Sequence, residues 1–203
     1  VDSLCRDILW KEGTWTNKPA AWKEEGKSLL VQAMPESDYW EKTLYGFIHR
    51  NGHALLTELK RSEAMEVTFL LKDFSELYDQ AGMMIWYDDI HWIKAGIEVI
   101  DGEPNISIVT TDVYSDCSNF PVANWEGEKV TFRVSPFHDA VLIRVRTSKS
   151  RWMTVRLSRF PFEKGIKAGP MVCAPIRKDL KVEFTRWIKT DPDIAQHQDP
   201  PII

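Results

Sequence analysis

The sequence predicts an all-β fold, a sandwich or barrel of many short strands. Short apolar runs recur along the whole chain, each bounded by Gly, Pro, Asn, Asp or Ser, which is the punctuation of strands. No long segment carries a convincing helical stripe. The 203-residue length is also within what one all-β domain can use.

The runs fall at 28–34, 43–49, 53–59, 65–71, 82–87, 92–100, 107–112, 129–135, 140–147, 152–157, 169–174 and 181–189. Between the second and third stands His49-Arg50-Asn51-Gly52-His53. Asn-Gly supplies the positive φ angles of a two-residue hairpin turn, which would set His49 and His53 side by side. Two histidines do not complete a metal site, so a solvated hairpin is expected, with no metal. Segment 74–80 is the best helix candidate, and a weak one. Beyond it, Ala81, Met83, Ile85 and Tyr87 alternate with Gln80, Gly82, Met84 and Trp86. The loop 88–91 is short enough to pair this run with the next as an antiparallel hairpin.

The run 92–99 is the most informative. With a side-chain period of two, Ile93, Ala95, Ile97 and Val99 belong to the core, and Trp92, Lys94, Gly96 and Glu98 to the other face. Lys94 and Glu98 are about 13 Å apart along the strand, so each needs a partner elsewhere. In the hairpin, Gln80 approaches Glu98 and Trp86 approaches Trp92. Ser107, Val109 and Thr111 continue the same face while Ile106 and Ile108 enter the core. Later, Arg144 and Arg146 alternate with Val141, Ile143 and Val145, which predicts two exposed arginines. No linker divides the chain and no internal repeat is present. Residues 1–190 are expected to form one domain, with 191–203 an irregular tail that drapes over the body or frays.

Hydrophobic residues make up 43% and charged residues 28%, an ordinary globular composition. No run of about 18 apolar residues exists to span a membrane as a helix. The opening VDSLCRDILWKEG lacks the apolar centre of a signal peptide. The chain begins at Val1 rather than Met, which leaves open a segment removed upstream. Residues 1–128 carry a formal charge of −12, residues 129–189 carry +11 and the remainder −3. The bases are interleaved with core residues, so acidic and basic strands are expected to neutralise each other across a sheet rather than to bind nucleic acid. Cys5, Cys117 and Cys173 are widely spaced with no CxxC pair. That points to a reduced, cytoplasmic protein with Cys173 as a packed thiol.

Nine Trp form a heavy aromatic load. Several belong in the core, but indoles also stack on sugar rings. A face carrying Gln80, Trp86, Trp92, Lys94, Glu98 and Thr111 suits a polar ligand held by stacking and hydrogen bonds. Gly96 would leave space for close approach. His49 and His53 are secondary candidates. For catalysis, Lys94 and Glu98 are the candidate acid and base, and Asp79, Asp112 and Asp116 the nearest further carboxylates. G-x-S-x-G, HExxH, the P-loop and the Rossmann fingerprint are all absent. Asp88-Asp89 and the pair Asp112 and Asp116 lack EF-hand spacing. No cofactor is expected.

Several strings together resemble a known family: Trp15-Thr16-Asn17-Lys18-Pro19, Asp38-Tyr39-Trp40, Tyr45-Gly46-Phe47, Asn51-Gly52-His53, Tyr78-Asp79-Gln80-Ala81-Gly82, Trp92-Ile93-Lys94-Ala95-Gly96-Ile97-Glu98, Ser115-Asp116-Cys117-Ser118, Gly169-Pro170 and Cys173-Ala174-Pro175. In this order they resemble the unknown-function domain family of the fungal "regulation of enolase" protein, across about 14–187. That family has Trp where this chain has Cys117, so contacts of that Trp do not carry over. The resemblance implies a concanavalin A-like lectin/glucanase fold, a jelly-roll β-sandwich with a concave sheet. It also implies that Gln80, Lys94 and Glu98 are the shared polar residues of the concave side. Its fungal relatives look cytosolic and are linked to control of enolase and sugar use.

The expected function is therefore lectin-like binding of a carbohydrate or sugar-related metabolite in a concave groove, tied to sugar or glycolytic metabolism. One alternative is a sugar-active hydrolase, lyase or epimerase using Lys94 and Glu98. Another is an interaction protein that regulates a glycolytic enzyme through the basic 129–189 region. Neither nucleic acid nor membrane is expected as a partner.

Overall fold

The structure, a computed structural model, describes residues 3–202. Val1, Asp2 and Ile203, at the ends of the ranges read from the sequence, lie outside the described residues. In chain order the strands are β1 (Cys5–Asp7), β2 (Thr14–Trp15), β3 (Ala21–Glu25), β4 (Ser28–Gln32), β5 (Tyr39–Glu41), β6 (Ile48–Arg50), β7 (His53–Leu59), β8 (Ala64–Leu70), β9 (Gln80–Asp88), β10 (His91–Ile100), β11 (Glu103–Asp112), β12 (Tyr114–Pro121), β13 (Lys129–Phe137), β14 (Ala140–Thr147), β15 (Met153–Arg159), β16 (Ile166–Cys173) and β17 (Lys181–Thr190). Two short 3-10 turns, Trp10–Glu12 and Ala123–Trp125, are the helical elements among the described residues. The protein is all-β, and among the described residues no helix is long and apolar enough to cross a membrane.

One sheet has seven strands in the order β12-β11-β10-β9-β16-β7-β2; the other has eight, β15-β14-β13-β8-β17-β4-β3 with β1 on β17. Every pairing of named strands is antiparallel. Period-two alternation divides each strand as expected. Ile93, Ala95, Ile97 and Val99 of β10, Ala81, Met83 and Ile85 of β9, and Val67, Phe132, Ile143 and Phe184 of the other sheet all join one buried cluster. The opposite face of the seven-stranded sheet carries a second, smaller cluster that includes Leu56, Met84, Trp92, Val109 and Met171. What buries that second cluster is a two-stranded ribbon, β5–β6, whose Tyr39 is itself fully buried within it.

Several local expectations are corrected. Residues 43–47 are a turn, not part of a strand: Lys42, Leu44 and Gly46 all take positive φ, which extended structure does not admit. Asn51-Gly52 does not close a hairpin, because β6 pairs with β5 while β7 pairs with β16 and β2. Segment 74–80 is not helical. Asp79 Oδ2 accepts from the amides of Ser75 and Glu76 at 3.0 and 3.1 Å, and Asp73 and Tyr78 have positive φ.

Arg144, expected exposed, is buried, because the residues after β17 cover that face of the eight-stranded sheet. Asp193 places one carboxylate oxygen 2.7 Å from Arg144 Nε and the other 2.7 Å from an Arg133 Nη. Glu66 takes the other Arg133 nitrogen at 2.9 Å. The Arg144 guanidinium also donates to the carbonyls of Ala195, Gln196 and Gln198. Arg146 is half-buried over the Trp152 ring. Acidic and basic segments do meet across the sheet, as in Lys189–Glu63 and Arg133–Glu66.

Candidate functional site

The outer face of the seven-stranded sheet is laid out in register rows. One row runs Cys173, Gln80, Glu98, Asn105 across β16, β9, β10 and β11. Two residues further along the strands is a row containing Met171, Gly82, Gly96 and Ser107, and beyond it one containing Gly169, Met84, Lys94 and Val109. Gln80 donates from Nε2 to Glu98 Oε1 at 3.1 Å, and Ser107 donates to Glu98 Oε2 at 2.7 Å. The structure thus brings Gln80, Lys94 and Glu98 to one place.

The partner of Lys94 comes from the ribbon. Asp38, just before β5, sets Oδ1 at 2.9 Å from Lys94 Nζ and 3.5 Å from Gln80 Nε2. Asn51 fixes Asp38 from behind: its side-chain oxygen accepts from the Asp38 amide at 3.1 Å, and the amides of Asn51 and Gly52 donate to the Asp38 carbonyl. The Lys94 side chain is 5% exposed and that of Asp38 18%, so the pair is sealed on the lysine side and reachable on the aspartate side. Burial alone would lower the Lys94 ammonium, but the carboxylates of Asp38 and Glu98 overcome it and hold the group above its ordinary value. Glu98 moves the other way. Burial pushes its carboxyl above the ordinary range and the Asp38 charge adds to this, against the pull of Lys94 and Ser107. Two carboxyl groups therefore share one amide donor, one of them ion-paired and the other disposed to hold a proton.

The remaining predicted residues separate from this cluster. Trp92 is fully buried beneath the Tyr39 ring, 5.8 Å between centroids, so it offers no stacking surface. Thr111 is buried and shares a 2.7 Å hydrogen bond with Ser115, whose hydroxyl accepts from the Glu41 amide. His53 is buried: its Nε2 accepts from the Met34 amide, its Nδ1 meets the Asn17 carbonyl, and burial lowers its pKa. His49 packs on Phe47 out on the ribbon. Gly96 is needed for a different reason than ligand space. A Cβ there would stand 2.4 Å from the Ala81 carbonyl oxygen of β9, so the close approach is between two strands. Gly52 likewise makes room for Tyr39, whose ring a Cβ would meet at 2.3 Å.

Trp86 alone of the predicted indoles stays half-buried at a cavity, one of about 610 Å3 on this same face, which it shares with Trp15, Arg50 and Asp89. Asp38, Asn51, Trp15 and Arg50 were not among the expected site residues. For Asp38, Asn51 and Trp15 the one sequence signal is membership in the strings Asp38-Tyr39-Trp40, Asn51-Gly52-His53 and Trp15-Thr16-Asn17; Arg50 belongs to none of them.

Known proteins share this architecture. Regulation of enolase protein 1 of Saccharomyces cerevisiae is 37% identical over 181 residues, 89% of this chain and 90% of that one. The crystal structure of a functionally unknown protein from Saccharomyces cerevisiae is similar with a TM-score of 0.81 at 35% identity, over 91% of this chain and 99% of the other. A xylan β-1,4-xylosidase from Bacillus halodurans is similar with a TM-score of 0.65 at 14% identity, over 92% of this chain but 38% of the xylosidase; that likeness concerns fold alone. Residues 15–192 match the family described as protein of unknown function (DUF1349), and the chain belongs to that family.

Proposed function

We propose that this chain is a sugar-active enzyme on a concanavalin A-like jelly roll, working in a reducing compartment, with Glu98 as its proton carrier and the Asp38–Lys94 pair as fixed charge beside it. The observation that carries the reading is the Asp38 carboxylate: a second titratable group meets Lys94 and the same Gln80 amide that holds Glu98. A carboxyl group raised by burial beside a fixed ion pair is a usual basis of acid–base work on glycosidic and hydroxyl oxygens. Lys94 itself is locked in ion pairing, so its part is electrostatic. The free thiols of Cys5, Cys117 and Cys173 fit the compartment. The substrate class is a sugar or sugar-derived metabolite, and the reaction a hydrolysis, elimination or epimerisation in which Glu98 gives or takes a proton.

Turnover tests this. The purified chain is incubated with aldoses, disaccharides and aryl glycosides, and products are followed by NMR. Conversion that falls by roughly 100-fold or more in Glu98→Gln supports the reading. No conversion of any member, or conversion unchanged in Glu98→Gln, overturns it.

A second reading, contact regulation of a glycolytic enzyme, is favoured by one observation. The ribbon turn exposes Leu44, Tyr45, Phe47 and Ile48, with the Tyr45 and Phe47 rings stacked at 5.0 Å. Exposed apolar patches of this kind mark contact sites. Co-purification with such an enzyme that is lost in Leu44→Ser/Phe47→Ser would favour it over turnover, and retention would remove its motive.

A further inference from the structure

Asp38 is anchored through one oxygen. Its Oδ1 accepts from three donors: the Tyr39 amide at 2.8 Å, Lys94 Nζ at 2.9 Å and, in a longer contact, Gln80 Nε2 at 3.5 Å. Oδ2 has no such partner among the described residues. The buried side-chain oxygens that lack a partner there are Glu41 Oε2, Asp79 Oδ1 and Thr110 Oγ1, so Asp38 Oδ2 is open to solvent. A carboxylate oxygen has lone pairs to fill, and this one can fill them only from water or from a ligand.

The carboxylate stands over bare sheet. Gln80 and Glu98 form one register row of β9 and β10, Met84 and Lys94 form another, and between them Gly82 faces Gly96. Asp38 touches Gln80 of the first row and Lys94 of the second. It therefore spans a row that carries no side chain on either strand. Glu98 is its neighbour, since both carboxyl groups meet the same Gln80 amide. The glycine row continues through Ser107 to Asn119 of β12, which is exposed. The Asp38 side chain keeps 18% exposure and that of Lys94 only 5%, so a ligand arriving here meets the carboxylate and not the ammonium. The Asp38 backbone is already held by Asn51 and Gly52, which leaves little freedom to lose on binding.

We propose that Asp38 is a substrate-contacting residue of this site, with Oδ2 accepting a hydrogen bond from a sugar hydroxyl while Oδ1 stays on Lys94. The inference rests on the acid–base reading of Glu98 and deepens it by naming the group that fixes the substrate. The ligand class follows from the chemistry: a neutral ring with a hydroxyl aimed at Oδ2. A phosphate or uronate would set its own negative oxygens against this carboxylate. The Asn variant has a definite meaning here. Only the amide oxygen can satisfy the donors at Oδ1, so Asp38→Asn puts an NH2 in the place of Oδ2 and exchanges an acceptor for a donor.

The test is NMR titration of the full chain with glucose and xylose, their monodeoxy analogues, and glucose 6-phosphate. In wild type, removal of one particular hydroxyl is expected to weaken binding about tenfold. Asp38→Asn should weaken the parent sugar by a similar factor and bind that deoxy analogue no worse than the parent. Asp38→Asn leaves Lys94 without a counter-charge, so Asp38→Asn/Lys94→Met is the variant with no buried charge, and it should show the same loss. Three results overturn the proposal: no binding of any neutral probe to wild type, an unchanged hydroxyl preference in both variants, or tighter binding of glucose 6-phosphate than of glucose. Hydroxyl-dependent binding that needs Asp38, without turnover of any sugar, supports this contact and sinks the acid–base reading. Turnover lost in Glu98→Gln but untouched in Asp38→Asn does the reverse.

Discussion

Lys94 Nζ and Asp38 Oδ1 stand 2.9 Å apart, and through them the β5–β6 ribbon is tied to the middle of the seven-stranded sheet. Removing one member of such a pair leaves the other charge without compensation in a place water hardly reaches. Asp38→Asn is expected to cost about 3 kcal/mol in urea unfolding, and Lys94→Met a similar amount. The double variant, with no charge left to bury, should recover part of that loss. If the two single losses simply add, the residues do not act as a pair.

Glu98 gives a pH dependence with a definite sign. Burial, with Asp38 behind it, raises its folded pKa above the ordinary 4.5, so the native state holds this proton more tightly than the unfolded chain. The stabilisation is complete below the unfolded value and is lost as pH rises through the folded one. Glu98→Gln stays neutral throughout and lacks this loss. The stability of wild type relative to Glu98→Gln should therefore decline as pH is raised from roughly 4 to 8, read from urea midpoints of both proteins. A difference that grows over the same interval would mean that Lys94 and Ser107 outweigh burial.

What the sequence could and could not reveal follows from the range of its signals. Strand alternation is local, so the faces of β9, β10 and β11 were legible, and with them the meeting of Gln80 and Glu98. The partner of Lys94 was not, because Asp38 is 56 residues away and arrives on a ribbon that pairs with neither sheet. The same limit explains Trp92 and Arg144. Alternation turns both away from the core between the sheets, but facing away means exposed only when nothing lies on top. Tyr39 covers the first and the chain after β17 covers the second. Asn51-Gly52 failed as a hairpin signal because Gly52 serves packing: its missing Cβ admits the Tyr39 ring.

That account of Gly52 can be measured. A Cβ would stand 2.3 Å from Tyr39 Cε2 and 2.6 Å from Cys173 Sγ, neither of them the loose end of a mobile chain. Gly52→Ala should cost about 1–3 kcal/mol through overpacking, seen as a lowered midpoint of unfolding. Tyr39→Phe/Gly52→Ala should not rescue it, since the ring carbons rather than the hydroxyl make the clash. Gly26→Ala is the contrast: its φ is +61° and nothing lies within 4 Å of the added carbon, so the cost is the backbone's alone, about 1 kcal/mol.

Asp193 bridges two guanidinium groups that have no other acidic side chain in common among the described residues. Arg133 also has Glu66, but among the described residues Asp193 is the one carboxylate that meets Arg144, whose remaining donors go to Thr154 Oγ1 and to three carbonyls of the residues after Asp193. With both arginines buried, loss of the carboxylate leaves Arg144 inside the protein without a counter-charge. Asp193→Ala should cost about 3–5 kcal/mol and free the chain from 191 onward for proteolysis, with new cleavage there appearing before the strands are cut. The conservative Asp193→Asn retains the shape and hydrogen-bonding capacity but not the charge, and should fall between Asp193→Ala and wild type. Protease resistance of Asp193→Ala equal to wild type would show that the carbonyl contacts alone hold this segment against β13 and β14.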